Sequence, residues 1–358
     1  MIIWILSKIK RLKSKKNKMD NPLPLISIIV VSINNWSILV NCLNSLHEQD
    51  YPNREIIVVD NGSDEGIEDN LKAGYPDVRI VRLDKNYGFA GGNNRGIGVA
   101  SGEYIALINN DATADPQWLS SMLKTVESDP GIGAAGSIVI DGNRPDRLDS
   151  YGVGIAFDGM SRQAMRGRPV PGQERPQEAL LFSGCACLLR TAALDEIGLF
   201  DEDFFAYCED TDLGLRLRRA GWRIVIAPGA FVNHYYSMTG GKFSLQKIYW
   251  VERNHFWVAA KNFPWFLLLM LPFFTCLRYL SQGYYIYRGR GDLKTFTGEN
   301  ALSEILSVYL KAYTDMFRKL PVMIAKRFFY RRVWRLGSIE MFRLIRKHHL
   351  SLSEILGE

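Results

Sequence analysis

Six carboxylates fall within twelve residues in Asp201-Glu-Asp-Phe-Phe-Ala-Tyr-Cys-Glu-Asp-Thr-Asp, interleaved with Phe204, Phe205 and Tyr207. Aromatic neighbours strip water from a carboxylate and raise its pKa towards the range in which it takes a proton from a hydroxyl. Glu209 and Asp210 stand side by side where a helix is expected to begin. Asp210 is therefore the candidate general base, with Glu209 as its catalytic neighbour. Asp212, Leu213, Arg216 and Leu217 supply a partly buried frame around them.

Other polar positions each close an apolar run. Asp60 opens Asp-Asn-Gly-Ser-Asp after such a run. An aspartate there can accept from the imide N–H of uracil or thymine, and Gly62 lets the turn approach a ligand; the same residues also make an ordinary turn. Asn109-Asn110-Asp111 closes another run. One carboxylate suits a divalent cation that shares its remaining sites with a diphosphate and water, or else Asp111 caps the helix near Trp118. Asn86-Tyr-Gly-Phe-Ala-Gly-Gly-Asn places Gly88 and two amides between a strand and a helix, where backbone N–H groups meet phosphates and Arg95 adds charge. It lacks a Walker lysine and the dinucleotide fingerprint, so neither ATP hydrolysis nor NAD binding is supported; tight helix packing is the alternative. His234 follows a strand and precedes Ser237, Thr239, Gly240 and Gly241. A neutral imidazole there can complete a metal site, with the hydroxyls and glycines on phosphate, or be purely structural.

The elements that must position these residues follow from periodicity. Ile26–Ile33 reads as a strand leading into a helix over Trp36–Leu46. Glu55–Asp60, Val78–Leu83 and Tyr104–Ile108 repeat the pattern. Alternating short apolar strands and helices predict an α/β fold with a parallel sheet covered on both faces. Ligands bind such sheets beyond the carboxyl ends of the strands, where Asn34, Asp60 and Asp111 fall. Residues 141–178 read as an elaborated loop or hairpin over the site. Leu181–Leu189 reads as a strand, Thr191–Ile197 and Asp210–Ala220 as helices, and Arg223–Ala227 as a further strand.

After Val232 the composition shifts. Phe263–Leu277 is almost wholly apolar, but fifteen residues fall short of the roughly twenty that cross a bilayer as a helix. With Pro264 and Pro272 bending it, a re-entrant or interfacial helix pair is expected, and a basic surface-binding helix over Val322–Leu350. Residues 1–20 carry seven Lys/Arg against one acid and residues 253–358 carry seventeen against seven, while the middle carries twenty against thirty. An acidic body between basic ends argues against nucleic acid as a partner and for peripheral contact with an anionic membrane face. The N-terminal segment, with Trp4 and Ile5 before its lysines, reads as an interfacial amphipathic piece. The expected division is a basic N-terminal segment at 1–20, a catalytic domain at 21–256 and a helical membrane-associating region at 257–358. Five cysteines without paired spacing indicate reduced thiols and a cytosolic setting. Cys185 and Cys187 read as small core residues.

Taken in order, Val31-Ser-Ile-Asn-Asn, Val59-Asp-Asn-Gly-Ser, Asn86-Tyr-Gly-Phe-Ala-Gly-Gly-Asn, Asn109-Asn-Asp, Phe182-Ser-Gly and Phe205-Ala-Tyr-Cys-Glu-Asp-Thr-Asp-Leu resemble the family 2 glycosyltransferases, especially the rhamnosyltransferase-like branch. The resemblance runs over residues 25–256 and implies a Rossmann-like GT-A fold, a nucleotide-diphosphate sugar donor (UDP- or dTDP-linked), Mg²⁺ or Mn²⁺, and inversion at the anomeric carbon. It implies that Ser32, Asn34, Asp60, Asn86, Gly88, Asn93 and Asn110 line the donor, with Asp60 on the base. Asp111 and His234 would hold the metal, and Asp210 would be the catalytic base. Asn109 stands where the family's D-x-D has its first aspartate. The acceptor expected from this context is a lipid-linked glycan, such as an O-antigen or exopolysaccharide unit, at the cytoplasmic face of the cell membrane. A nucleotidyltransferase would need a basic glycine-rich loop after the first strand, which Ser32–Trp36 does not provide. The standing alternative is a catalytically inactive nucleotide-sugar-binding or scaffold protein at the membrane.

Overall fold

A computed structural model describes residues 23–64, 66–172, 175–235, 244–288 and 301–356. The N-terminal basic segment expected to lie on a membrane, and Ser237, Thr239, Gly240 and Gly241, fall outside the described residues.

In chain order the elements are β1 (Ile26–Ser32), α1 (Trp36–His47), β2 (Arg54–Asp60), α2 (Glu68–Gly74), β3 (Arg79–Arg82), α3 (Gly88–Val99), β4 (Tyr104–Asn109), β5 (Ala112–Ala114), α4 (Trp118–Glu127), β6 (Ile132–Asp141), β7 (Arg144–Tyr151), β8 (Val153–Ile155), β9 (Ser161–Gln163), β10 (Gln177–Ala179), β11 (Ala186–Arg190), α5 (Thr191–Ile197), α6 (Glu209–Arg219), β12 (Arg223–His234), α7 (Leu245–Asn262), α8 (Trp265–Tyr287), α9 (Ala301–Arg331), α10 (Ser338–Lys347) and α11 (Leu352–Leu356). The main sheet runs β10-β12-β6-β11-β4-β1-β2-β3, with β5 on β12 and β7 on β6.

Strand β1 shows why the first half folds as expected. Its apolar run is buried on both sides: Ile26, Ile28 and Val30 enter one core with α1 and α4, while Ile29 enters a second with α3, α5 and α6. A strand with no solvent face needs helices on both sides and parallel neighbours reached by crossovers. β1 accordingly pairs in parallel with β2 and β4. The fully parallel expectation is corrected beyond β4, because β11 runs antiparallel to both β4 and β6. The expected strand over Leu181–Leu189 shortens to β11, since the Gly184 amide bonds to a side chain instead of a ladder partner. The stretch 141–178 does form hairpin structure: β7 returns along β6, and β8 and β9 pair as a separate ribbon.

A third core joins the C-terminal helices to the catalytic body. Phe204, Cys208 and Leu215 pack with Phe256, Trp257 and Phe263 of α7, Leu267 of α8 and Met316 and Met323 of α9. Helix α7 runs straight across residue 256. The apolar stretch is one continuous helix, not a bent pair: α8 continues through Pro272, and among the described residues it is the one helix long and apolar enough to cross a membrane. An internal proline removes a single backbone hydrogen bond, and the turns on either side carry the helix on.

Candidate active site

The strand register brings the predicted polar residues to one edge. Ser32 pairs with Asp60 across β1 and β2, and Val31 with Asn109 across β1 and β4. Asn110 donates its amide to the Ser32 hydroxyl at 3.1 Å. Asn34, in the left-handed region at φ 52°, donates its N–H to the Ser63 hydroxyl and accepts from the Asp64 N–H. Asp60 is fully buried; its Oδ1 accepts from the Ser63 amide at 3.0 Å, while its Oδ2 has no protein partner. A buried carboxylate oxygen without a donor is costly, and an imide N–H supplies what it lacks. Asn61, which the sequence did not single out, ties the two donor-side loops together: its amide donates to Asn86 Oδ1 and the Gly88 carbonyl, and its oxygen accepts from the Tyr87 N–H.

Two N–H groups at the start of α3, where a phosphate cradle is expected, are engaged within the protein. The Gly88 N–H is used by Asn86 Oδ1 and the Ala90 N–H by the Phe205 carbonyl. Gly88 is required for that contact: at φ +70° a Cβ would stand 2.3 Å from the Phe205 oxygen. Arg95 is likewise committed, lying 3.5 Å from the Tyr87 ring centroid and close to Glu202. Asn93 is buried and donates to the Phe89 carbonyl in its own helix. Through Gly88, Ala90 and Arg95 the start of α3 seats the acidic loop against the sheet.

Asp111 and His234 meet because β5 pairs with β12, placing His234 opposite Ala112. His234 Nε2 lies 3.3 Å from Asp111 Oδ1, and its Nδ1 lies 2.9 Å from Asp149 Oδ2 on β7. All three are buried, and Arg166 reaches the other oxygen of Asp149 at 3.2 Å. Burial alone would lower the imidazole pKa, but the Cys185 thiol and the two carboxylates around the ring hold it well above the ordinary value. Cys185 is thus more than filler, since its thiol hydrogen-bonds the ring; Cys187 lies in the opposite core, because Cys185 precedes β11 and escapes the alternation that would put residues two apart on one face. Two ligands each about 2.1 Å from one ion at a right angle stand about 3 Å apart, so Asp111 and His234 fit adjacent positions on a divalent cation. Among the described residues no three His, Cys, Asp or Glu side chains converge as a closed metal cage.

Asp210 lies in the first turn of α6 at the same edge. Its Oδ2 accepts from the Gly184 amide at 3.0 Å and its Oδ1 from the Thr211 amide at 2.7 Å. The glycine of Phe182-Ser-Gly is explained by this approach, because a Cβ at Gly184 would stand 3.2 Å from Asp210 Oδ2. Burial raises the Asp210 pKa, and those amides only partly offset it. Burial, reinforced by Asp210, pushes Glu209 well above the usual carboxylate range, and its Oε2 has no hydrogen-bond partner.

The loop before Asp210 is strained, with Phe205, Tyr207 and Cys208 all at φ 66–67°. Such conformations persist only where the surroundings over-determine them. The determinant is Asn254 on α7, fully buried, whose amide donates to the carbonyls of Phe204 (3.1 Å), Ala206 (2.9 Å) and Tyr207 (2.7 Å). Arg253 adds a bond to the Phe204 carbonyl at 3.0 Å. Trp250, one helical turn away, packs beside Phe205 and Tyr207 with centroids at 5.3 and 6.1 Å. A buried ion network backs the loop: Lys261 joins Asp201 (2.6 Å) to Asp212 (2.8 Å), Arg216 also holds Asp212, and Lys326 of α9 bridges Asp201 and Asp203. Asp149 and Asn254 were invisible in the sequence because each acts only through partners 85 and about 50 residues away.

Comparison with known proteins agrees with this architecture. The family model described as Glycosyl transferase family 2 matches residues 27–198, a span that ends before Asp210 and His234. The N-acetylglucosaminyl-diphospho-decaprenol L-rhamnosyltransferase of Mycobacterium tuberculosis is 30% identical over 213 residues, covering 52% of this chain and 68% of that protein. The O-antigen biosynthesis protein RfbC of Myxococcus xanthus is 26% identical over 259 residues, covering 68% of this chain and 20% of that protein. Among solved structures, GalNAc-T7 with UDP, GalNAc and Mn²⁺ superimposes with a TM-score of 0.56 at 16% identity, covering 68% of this chain and 48% of that one. The mixed sheet, with its polar strand ends and the acidic loop seated against them, is the GT-A fold, and the chain belongs to glycosyl transferase family 2.

Proposed function

We propose that this glycosyltransferase moves a sugar, with inversion, from a UDP- or dTDP-linked donor to a hydroxyl of a lipid-linked glycan at the cytoplasmic face of a membrane. The observation that carries the reading is Asp210: a carboxylate with a raised pKa, fixed by two backbone amides at the strand edge that also holds Asp60 and the Asp111–His234 pair. Asp210 takes the acceptor proton while that oxygen attacks the anomeric carbon from the face opposite the diphosphate. The anomeric C–O bond breaks, and the nucleoside diphosphate leaves with the electron pair, so one displacement inverts the centre. Glu209, its pKa raised by burial and by Asp210, stands beside the base.

Asp60 Oδ2 accepts from the imide of the base, and Ser32, Asn34 and Asn110 border it. Asp111 and His234 would hold Mg²⁺ or Mn²⁺, which when bound neutralises charge on the departing diphosphate. The GalNAc-T7 structure contains UDP and Mn²⁺, and the mycobacterial relative is named for a diphospho-decaprenol acceptor and rhamnose; both support the donor, metal and acceptor classes. Transfer is tested with UDP- and dTDP-sugars and a polyprenyl-diphosphate-linked sugar. Asp210→Asn should keep donor binding and lose on the order of 10²–10⁴-fold in kcat, whereas Asp60→Asn should lose thermal protection by uracil and thymine nucleotides. Undiminished transfer by Asp210→Asn overturns the base. Donor binding without transfer by the unmutated protein favours the scaffold alternative.

A further inference from the structure

Helix α8 is inside out for a soluble protein. Phe266, Leu269, Phe273, Leu277, Leu280 and Tyr284 recur at helical spacing on its outer face and are exposed, Leu269 by 81% and Leu280 by 68%. Its inner face carries a charge: Arg278 is 1% exposed and donates to Asp158 at 2.6 Å and to both oxygens of Glu252 at 2.9 and 3.0 Å. Asp158 lies in the turn between β8 and β9 and Glu252 on α7, so this network ties α8 to the catalytic body at Arg278.

That pinning decides between crossing a bilayer and lying on one. A spanning α8 would carry Arg278 and its partners to hydrocarbon depth or tear the pairs apart, and either is expensive. A helix held in the interface plane leaves the network in protein and gives the apolar stripe to lipid. Charge complementarity identifies the surface. The Phe342 ring of α10 packs 5.2 Å from Phe266, and beside it Arg343 and Arg346 are exposed. Residues 253–358 as a whole carry seventeen Lys/Arg against seven acids. Basic side chains at the edge of an apolar stripe match anionic headgroups above an acyl layer.

We infer that the outer stripe of α8, with Arg343 and Arg346 at its edge, is a monotopic docking face on which the enzyme lies against an anionic lipid bilayer. This deepens the lipid-linked acceptor reading and rests on it only for its purpose. Because α7 packs against this helical layer and clamps the Asp210 loop, docking also fixes the loop relative to the bilayer.

The test is co-flotation of the full chain with vesicles containing phosphatidylglycerol or made of phosphatidylcholine alone, alongside transfer to a water-soluble acceptor analogue. The unmutated protein should float with phosphatidylglycerol vesicles and be released by alkaline carbonate. Leu269→Glu with Phe273→Glu should reduce the bound fraction on the order of tenfold and leave soluble transfer unchanged. Arg343→Ala with Arg346→Ala, at positions that need no refolding of α8, should lose the preference for phosphatidylglycerol. The inference is overturned if the unmutated protein ignores vesicles, if it resists carbonate as a spanning helix would, or if the glutamate variant merely converts a dimer to monomer. Absence of transfer by every form would sink the proposed activity and leave the flotation result standing.

Discussion

Asp149 Oδ2 stands 2.9 Å from Nδ1 of His234, and because an ionised carboxylate can only accept, the Nδ1 position carries the proton. Nε2 faces Asp111 at 3.3 Å and is the nitrogen that would give up its proton to a cation shared with Asp111. A carboxylate behind a ligand histidine sets ring orientation and basicity at metal sites.

Asp149→Ala should therefore weaken Mn²⁺ binding about 10–100-fold, with Asp149→Asn in between because its amide oxygen still accepts. Titration calorimetry with Mn²⁺ on the nucleotide-bound protein reads this directly. Equal affinity in all three proteins would show that His234 is not a ligand.

Asn254→Leu removes three hydrogen bonds from a loop with three left-handed residues while keeping side-chain volume. Small displacements of a positioned catalytic group cost on the order of 10²-fold in rate. The expected result is a fall in kcat of that order with the donor KM nearly unchanged. A change in KM alone would place the role of Asn254 on the donor side.

The acidic loop should show its burial in pH dependence. With the Asp210 pKa raised, the acidic limb of the pH–rate profile should lie above the value of about 3.9 expected for an ordinary aspartate. Glu209 has the same direction of shift. The folded form holds its proton where the unfolded chain has lost it, so its burial costs stability above the unfolded pKa and nothing below it. Glu209→Gln should raise Tm at neutral pH by at least ~2 °C, and the gain should vanish in acid. A pH-independent gain would point to packing instead.

Lys261 is buried between Asp201 and Asp212. Lys261→Met leaves two carboxylates enclosed with less compensation, and the expected loss is about 3–5 kcal/mol in denaturant unfolding. A loss below 1 kcal/mol would mean that Lys326 and Arg216 hold the network without it.

The sequence by itself determined the local half of this protein. Apolar runs without polar alternation specified buried strands, and each polar strand end (Ser32, Asp60, Asn109–Asp111) came out at one edge because parallel strands in register share their carboxyl ends. The acidic run pointed to Asp210, whose pKa burial raises, but the rings beside it in the chain pack on Trp257 and Trp250. Tertiary structure decided what depends on contacts between distant segments. It reversed β11, set the start of α3 against Phe205, and placed Asp149 behind His234 and Asn254 behind the Asp210 loop. It also settled how α8 is oriented, because hydropathy counts apolar residues without regard to side, whereas the buried Arg278–Glu252–Asp158 network assigns one side to protein. A hydrogen bond between residues 85 positions apart leaves no periodicity in the chain, and only folding brings its two ends together.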